Sequence, residues 1–160
     1  MIILASDHGG YELKVAIRQY LDNNGYEYID VGCEGIDSCD YPEFAHSACM
    51  RMVHNDIGIF VCGSGNGIQM AANSHDHIRA ALCWKPELAS LARQHNNANV
   101  MTLPGRFIEE EEALECVKNF ITDDFEGGRH DRRVRKIKYV PGPPHIGNKI
   151  KNVVKNIEPN

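Results

Sequence analysis

At 160 residues, with 42% apolar and 24% charged side chains, the chain has the size and composition of one globular domain able to bury a proper core. No run approaches the roughly 18 consecutive apolar residues of a spanning helix, and no basic stretch precedes Ile2-Ile3-Leu4, so neither a membrane segment nor a secretory leader is expected. Six cysteines at 33, 39, 49, 62, 83 and 116 form no CxxC pair, which argues against a zinc knuckle and for free thiols in a reducing cytoplasm. The net charge of −5 is uneven: residues 129–160 hold nine of the 17 Lys and Arg but two of the 22 Asp and Glu. A basic end can bind nucleic acid, but no nucleic-acid motif accompanies it. A small anionic ligand or a solvated face fits better.

Strand and helix patterns alternate along the chain. Ile2–Ser6 reads as a strand, and Tyr11–Asn23 as a helix with Leu13, Ile17, Tyr20 and Leu21 on one stripe, capped by Gly25. Tyr26–Val31 is a second strand, and after a polar loop Pro42 opens a helix whose apolar face takes in Ala45, Ala48, Cys49, Met52 and Val53. The strand at 57–62 leads to a helix ending near Ser74. Arg79–Cys83, Glu87–Gln94 and Asn99–Leu103 follow as strand, helix and strand. Glu109–Thr122 is a helix whose four opening glutamates suit its positive end. Gly127-Gly128 breaks the chain before a last helix over Arg129–Lys138, and Pro141-Gly142-Pro143-Pro144 introduces an extension, 139–160, with a short helix expected at Asn148–Ile157. Five such units predict a three-layer, doubly wound, Rossmann-like α/β domain over 1–138, with a five-stranded parallel sheet. Ligands in such sheets bind at the C-terminal strand ends, where Asp7-His8 and Cys62-Gly63 should converge.

The stretch Cys62-Gly63-Ser64-Gly65-Asn66-Gly67 is the most telling one. A glycine loop between a buried strand and a helix leaves N–H groups free to hold an anion, and a thiol at that helix N-terminus is biased toward thiolate. The same residues also suit a tight turn and a small core cysteine. The loop is not a dinucleotide fingerprint, because it closes the third unit rather than the first and no acidic strand end follows about 20 positions on. Asp7 is either a helix cap or a ligand group, and His8 is positioned to bond a ligand oxygen. Arg129 and Arg133, at i and i+4, share a helix face that suits either phosphate or solvent. His95, on a stripe with Leu88 and Ala92, is a core or interface histidine or an acid/base. Its helix covers about 14 Å back to the far sheet edge, so a catalytic His95 would reach a neighbouring subunit's Cys62.

Taken together, Ser6-Asp7-His8-Gly9-Gly10, Asp40-Tyr41-Pro42, the 62–67 loop, Arg93-Gln94-His95-Asn96, Gly105-Arg106 and Gly127-Gly128-Arg129-His130 with Arg133 resemble ribose-5-phosphate isomerases of the B type over residues 1–138. The resemblance implies interconversion of ribose 5-phosphate and ribulose 5-phosphate in the pentose phosphate pathway. It implies no metal or organic cofactor, and a homodimer or dimer of dimers with shared sites. It assigns the proton shuttle between C1 and C2 to Cys62, with Ser64, which replaces a frequent threonine, beside it, and furanose opening to His95. Gly63, Gly65, Asn66 and Gly67, helped by Asn96, would hold the enediolate. His8, Arg106, Arg129 and Arg133 would gather the phosphate, Asp7 would contact the sugar and Tyr41 would wall the pocket. The competing readings are an isomerase of a six-carbon sugar phosphate, such as galactose or allose 6-phosphate, and a non-catalytic sugar-phosphate or nucleotide sensor.

Overall fold

The computed structural model describes residues 1–138; the Pro141–Pro144 turn and the helix expected at 148–157 lie outside the described residues. In chain order the elements are β1 (Ile2–Ser6), a 3-10 turn (His8–Gly10), α1 (Tyr11–Asn23), β2 (Tyr28–Asp30), α2 (Tyr41–Arg51) and β3 (Ile57–Cys62). Then come α3 (Asn66–Asn73), β4 (Ala80–Leu82), α4 (Pro86–Asn96), β5 (Val100–Pro104), α5 (Glu110–Thr122) and α6 (Arg129–Val134). All strands pair in parallel in the order β2-β1-β3-β5-β4. The expected five-stranded, doubly wound sheet is therefore what the chain forms.

The central strands β1 and β5 are buried throughout, and β3 from its second residue, as their mostly apolar sequences require in a sheet covered on both faces. Leu13, Ile17 and Leu21 of α1, Ala89 and Ala92 of α4, and Cys116, Val117 and Phe120 of α5 cover one face. Ala45, Ala48 and Cys49 of α2 and Ile68 and Ala72 of α3 cover the other. Each fully buried large side chain contributes about 1.5–3 kcal/mol through lost apolar surface.

Three of the boundaries that differ from the sequence reading have a visible local cause. β2 starts at Tyr28 rather than Tyr26, because the Tyr26 N–H is used in capping α1: it donates to Leu21 O at 3.0 Å while Gly25, at φ 71°, makes the left-handed turn. Val53 does not join the apolar stripe of α2; the backbone turns extended at Met52, leaving Val53 72% exposed. The last helix stops at Val134, since beyond it the bonds Lys136 N–H to Arg133 O and Ile137 N–H to Val134 O close i+3 turns.

Two tight contacts yield predictions. A Cβ on Gly10 would lie 2.5 Å from the carbonyl carbon and oxygen of Val61, which are backbone atoms of the central strand. Gly10→Ala should therefore cost about 1–3 kcal/mol, read as a lower urea midpoint at unchanged slope. On the opposite face His46 Nδ1 and His75 Nε2 lie 2.7 Å apart, with the His77 ring 6.0 Å from that of His75. Burial first, then His46 and His77, hold the His75 pKa below its usual value. A depressed histidine leaves stability intact above its unfolded pKa of about 6.5 and removes it as pH falls toward the folded value. Melting temperature should drop between about pH 7.5 and pH 5.5, and less so in His75→Asn.

Candidate active site

The sheet order reverses between β1 and β3, and the crevice of a doubly wound sheet opens at that point on the C-terminal edge. Here a cavity of about 280 Å³ is lined by Asp7, His8 and Gly9 after β1, Cys62, Gly63, Ser64 and Gly67 after β3, Arg106 after β5, and Tyr41 at the start of α2. Two larger grooves, of about 1040 and 930 Å³, lie at the opposite sheet edge and along β4, and no cysteine lines either of them.

Absent side chains let the three loops touch. A Cβ on Gly9 would lie 3.0 Å from the Cα and N of Gly63, and one on Gly105 would lie 2.9 Å from the Gly9 oxygen. Gly65, at φ 74°, turns the chain left-handed into α3, so that the orphan N–H groups of the first helical turn follow directly after Cys62. A Cβ on Gly67 would sit 2.6 Å from Tyr41 Cζ; the tyrosine ring thus lies against the Gly67 backbone and walls the cavity.

Cys62 is only 3% exposed, yet it borders the cavity and is not sealed in the core. Cys49, Cys83 and Cys116 lie away from it in the core, where burial pushes each thiol up to about 12. Asp7 Oδ1 accepts the Gly10 N–H at 3.1 Å, so Asp7 caps the 3-10 turn while also lining the cavity. His8 Nδ1 accepts the Cys39 N–H at 3.3 Å, which leaves Nε2 to carry the ring proton. Arg106 is anchored by its own N–H to Gly63 O at 3.1 Å, and its guanidinium runs beside Gly63. The loop carrying Cys39 is held from below by Lys14, whose buried ammonium bonds Asp30 Oδ1 at 3.0 Å and Cys33 O at 2.7 Å.

The remaining candidates gather elsewhere. Because α4 runs from the C-terminal edge back to the N-terminal one, its 11 residues carry His95 and Asn96 about 16 Å along its axis, away from the cavity. Arg129 and Arg133 lie on α6, which packs against α4. There the His95 and His130 rings stack, centroids 4.2 Å apart and planes 7° from parallel, with Glu126 Oε2 at 3.7 and 3.6 Å from their Nε2 atoms. Among the described residues this trio alone brings three metal-type donors together. Near-parallel rings aim their lone pairs side by side rather than at one point, so the grouping suits a carboxylate facing an imidazole N–H better than a metal ion. Asp7, His8, Tyr41, Cys62, Gly63, Ser64, Gly67 and Arg106 thus converge, with Gly65 and Asn66 in the same loop, while His95, Asn96, Arg129 and Arg133 form a second group. Sequence reasoning gave no role to Lys14, Cys39, Glu126 or His130. Of these, His130 stood in the Gly127–His130 motif, and the i, i+4 spacing of Glu126 and His130 was a further signal in the chain.

Residues 2–137 match the family model described as ribose/galactose isomerase. The chain belongs to that family. It is 42% identical over 137 residues to ribose-5-phosphate isomerase B of Mycolicibacterium paratuberculosis, an alignment covering 83% of this chain and 86% of that protein. Its fold superposes with TM-score 0.84 on a ribose 5-phosphate isomerase from Thermotoga maritima, at 47% identity over 87% of this chain and 97% of that one. It also superposes with TM-score 0.82 on the Mycoplasma genitalium ribose-5-phosphate isomerase B with bound ribulose-5-phosphate, at 41% identity over 85% and 92% of the two chains.

The two positions of Asp7 separate by substitution. Asp7→Asn keeps an oxygen for the Gly10 N–H and should leave the unfolding midpoint unchanged while lowering kcat/KM. Asp7→Ala should lower both, with about 1 kcal/mol lost from the cap.

Proposed function

We propose that this isomerase interconverts ribose 5-phosphate and ribulose 5-phosphate through a cis-enediolate, with Cys62 as the base. The observation that carries the reading is the Cys62 thiol bordering a cavity shared with the 63–67 loop, His8 and Arg106. Abstracting a proton beside a carbonyl needs a base and a preorganised oxyanion site, and Cys62 followed by the amides of the 63–67 loop supplies both. The Cys62 thiolate takes the C2 proton of the open aldose. The C–H electron pair becomes the C1–C2 double bond, and the former carbonyl oxygen becomes an enediolate facing the loop amides. Return of the proton to C1, with the O2 proton passing to O1 by way of Ser64, gives the ketose. Asp7 bonds a sugar hydroxyl, and His8 Nε2–H and Arg106 take the phosphate.

Furanose ring opening must precede this. His95 takes the O1 proton as the C1–O4 bond breaks and delivers it to the ring oxygen. His95 stands at the opposite sheet edge from its own Cys62, so this step requires a second copy of the chain. In an antiparallel pair one chain's His95, Asn96, Arg129 and Arg133 would face the other's cavity, adding two guanidiniums to the phosphate site. Exposed apolar side chains on the elements around the cavity support such a pair: Met70 at 72%, Phe107 at 77% and Trp84 at 49% exposure. No described helix is long and apolar enough to cross a membrane.

Cys62→Ala should lower turnover of ribose 5-phosphate by about 10²–10⁴-fold while equilibrium binding of the sugar phosphate persists. Normal turnover in that variant removes the mechanism. Mixed and refolded with His95→Ala, it should regain part of the activity, since one site in each mixed dimer is intact. Side-by-side turnover of galactose and allose 6-phosphates decides between pentose and hexose.

A further inference from the structure

We infer that Glu126 and His130 are positioning residues for His95, fixing the plane of its ring and placing its proton on Nε2 so that Nδ1 is the nitrogen offered to the sugar. The inference rests on the proposed ring-opening role of His95.

Glu126 stands in the loop between α5 and α6 and is tied to α4 by its own N–H, which donates to Gln94 O at 3.0 Å. That bond places its carboxylate beside the end of α4, one oxygen 3.7 Å from His95 Nε2 and 3.6 Å from His130 Nε2. A single negative charge thus faces two imidazoles that cannot comfortably both be cations at a 4.2 Å stacking distance.

The two rings are not equivalent. His130 is buried at 6% exposure, and its Nε2 accepts the Arg129 Nε–H at 3.3 Å, so its own proton sits on Nδ1. Its pKa is lowered by burial first, then by His95 and Arg129, with Arg133 adding to this against the opposing pull of Glu126. His130 is therefore a ring whose Nε2 is taken by Arg129 and whose face is covered by His95. The side chain of His95 is one-third exposed and lies flat on that ring. With the His130 nitrogen occupied by Arg129, the proton that Glu126 attracts belongs to His95 Nε2. The opposite ring nitrogen keeps its lone pair and can take the O1 proton. A ring free to rotate would offer either nitrogen, and misplacement by an ångström costs about 10²-fold in rate.

The test separates ring opening from isomerisation. Ribulose 5-phosphate has no furanose form, since its O5 is esterified, so deuterium uptake at its C1 from heavy water needs the Cys62 step and no ring opening. Glu126→Gln, which keeps the shape and removes the charge, and His130→Ala should each lower ribose 5-phosphate turnover by about 10²-fold. Exchange at C1 should be unchanged in both. His130→Phe, which restores a flat ring, should recover part of the lost turnover. Equal losses in turnover and exchange, or no loss in either, overturn the inference. Glu126 is exposed, so its Gln variant carries the test even if His130→Ala fails to fold. His95→Ala serves as the reference. If it retains turnover, the ring-opening role itself fails; if it is inactive while Glu126→Gln is fully active, only the positioning role fails.

Discussion

Backbone touching backbone at the C-terminal ends of β1, β3 and β5 is the constraint on which the site depends. A Cβ on Gly9 or Gly105 would lie 3.0 or 2.9 Å from the backbone of the neighbouring loop, Gly63 and Gly9 respectively, so these loops approach as only glycine allows. That approach is what puts Cys62, His8 and Arg106 around one small cavity rather than on three separate loops. Hydrogen bonds from Gly105 N–H to Cys62 O and from Arg106 N–H to Gly63 O continue the β3–β5 pairing past the sheet and fix the register of the loops. Gly10 extends the same packing one residue inward against Val61.

A parallel sheet with right-handed crossovers sends each strand's residues to one edge and each following helix's end to the other. That geometry, not any choice of side chain, separates His95, Asn96, Arg129 and Arg133 from the cavity. In the proposed dimer the separation turns into complementarity: a thiol, amides and one guanidinium on one edge, imidazoles and two guanidiniums on the other. Neither half holds all the groups that the proposed chemistry requires. Activity and assembly would then be coupled by the topology of the sheet itself.

Charge follows the same division. Of the Lys and Arg after residue 128, Arg129, Arg132 and Arg133 lie on α6, beside α4, and so on the edge that lacks the cavity. Beside this basic cluster the Glu126 carboxylate faces two histidines, whereas Asp131 pairs with Arg135 at 3.6 Å. Behind the cavity Lys14 and Asp30 form a buried pair whose ammonium also bonds Cys33 O, so the loop that brings Cys39 to His8 begins from a fixed point. Such a pair adds little net stability over apolar packing, but removing one partner leaves an uncompensated charge, and this ties the loop to the fold.

The order and type of the elements were legible in the chain, because a run such as Ile57–Cys62 or a stripe such as Leu13, Ile17 and Leu21 states its own period and its own buried face. The glycine loops and the residue types beside them were legible for the same local reason: left-handed turns and close approaches demand glycine wherever they occur. The β2 boundary was not, since Tyr26 looks like strand until its N–H is drawn to Leu21 O by the cap of α1. Nor was the dual position of Asp7, or the support given by Lys14 and Cys39. Still less could the chain announce that His130 lies flat on His95 with Glu126 between their nitrogens. Those are contacts between segments 30 or more residues apart on α4 and α6. Sequence by itself determined the sheet, its reactive edge and the chemistry available there, through interactions within a few residues. Tertiary structure alone decided which of those groups meet, because that depends on how separate crossovers pack.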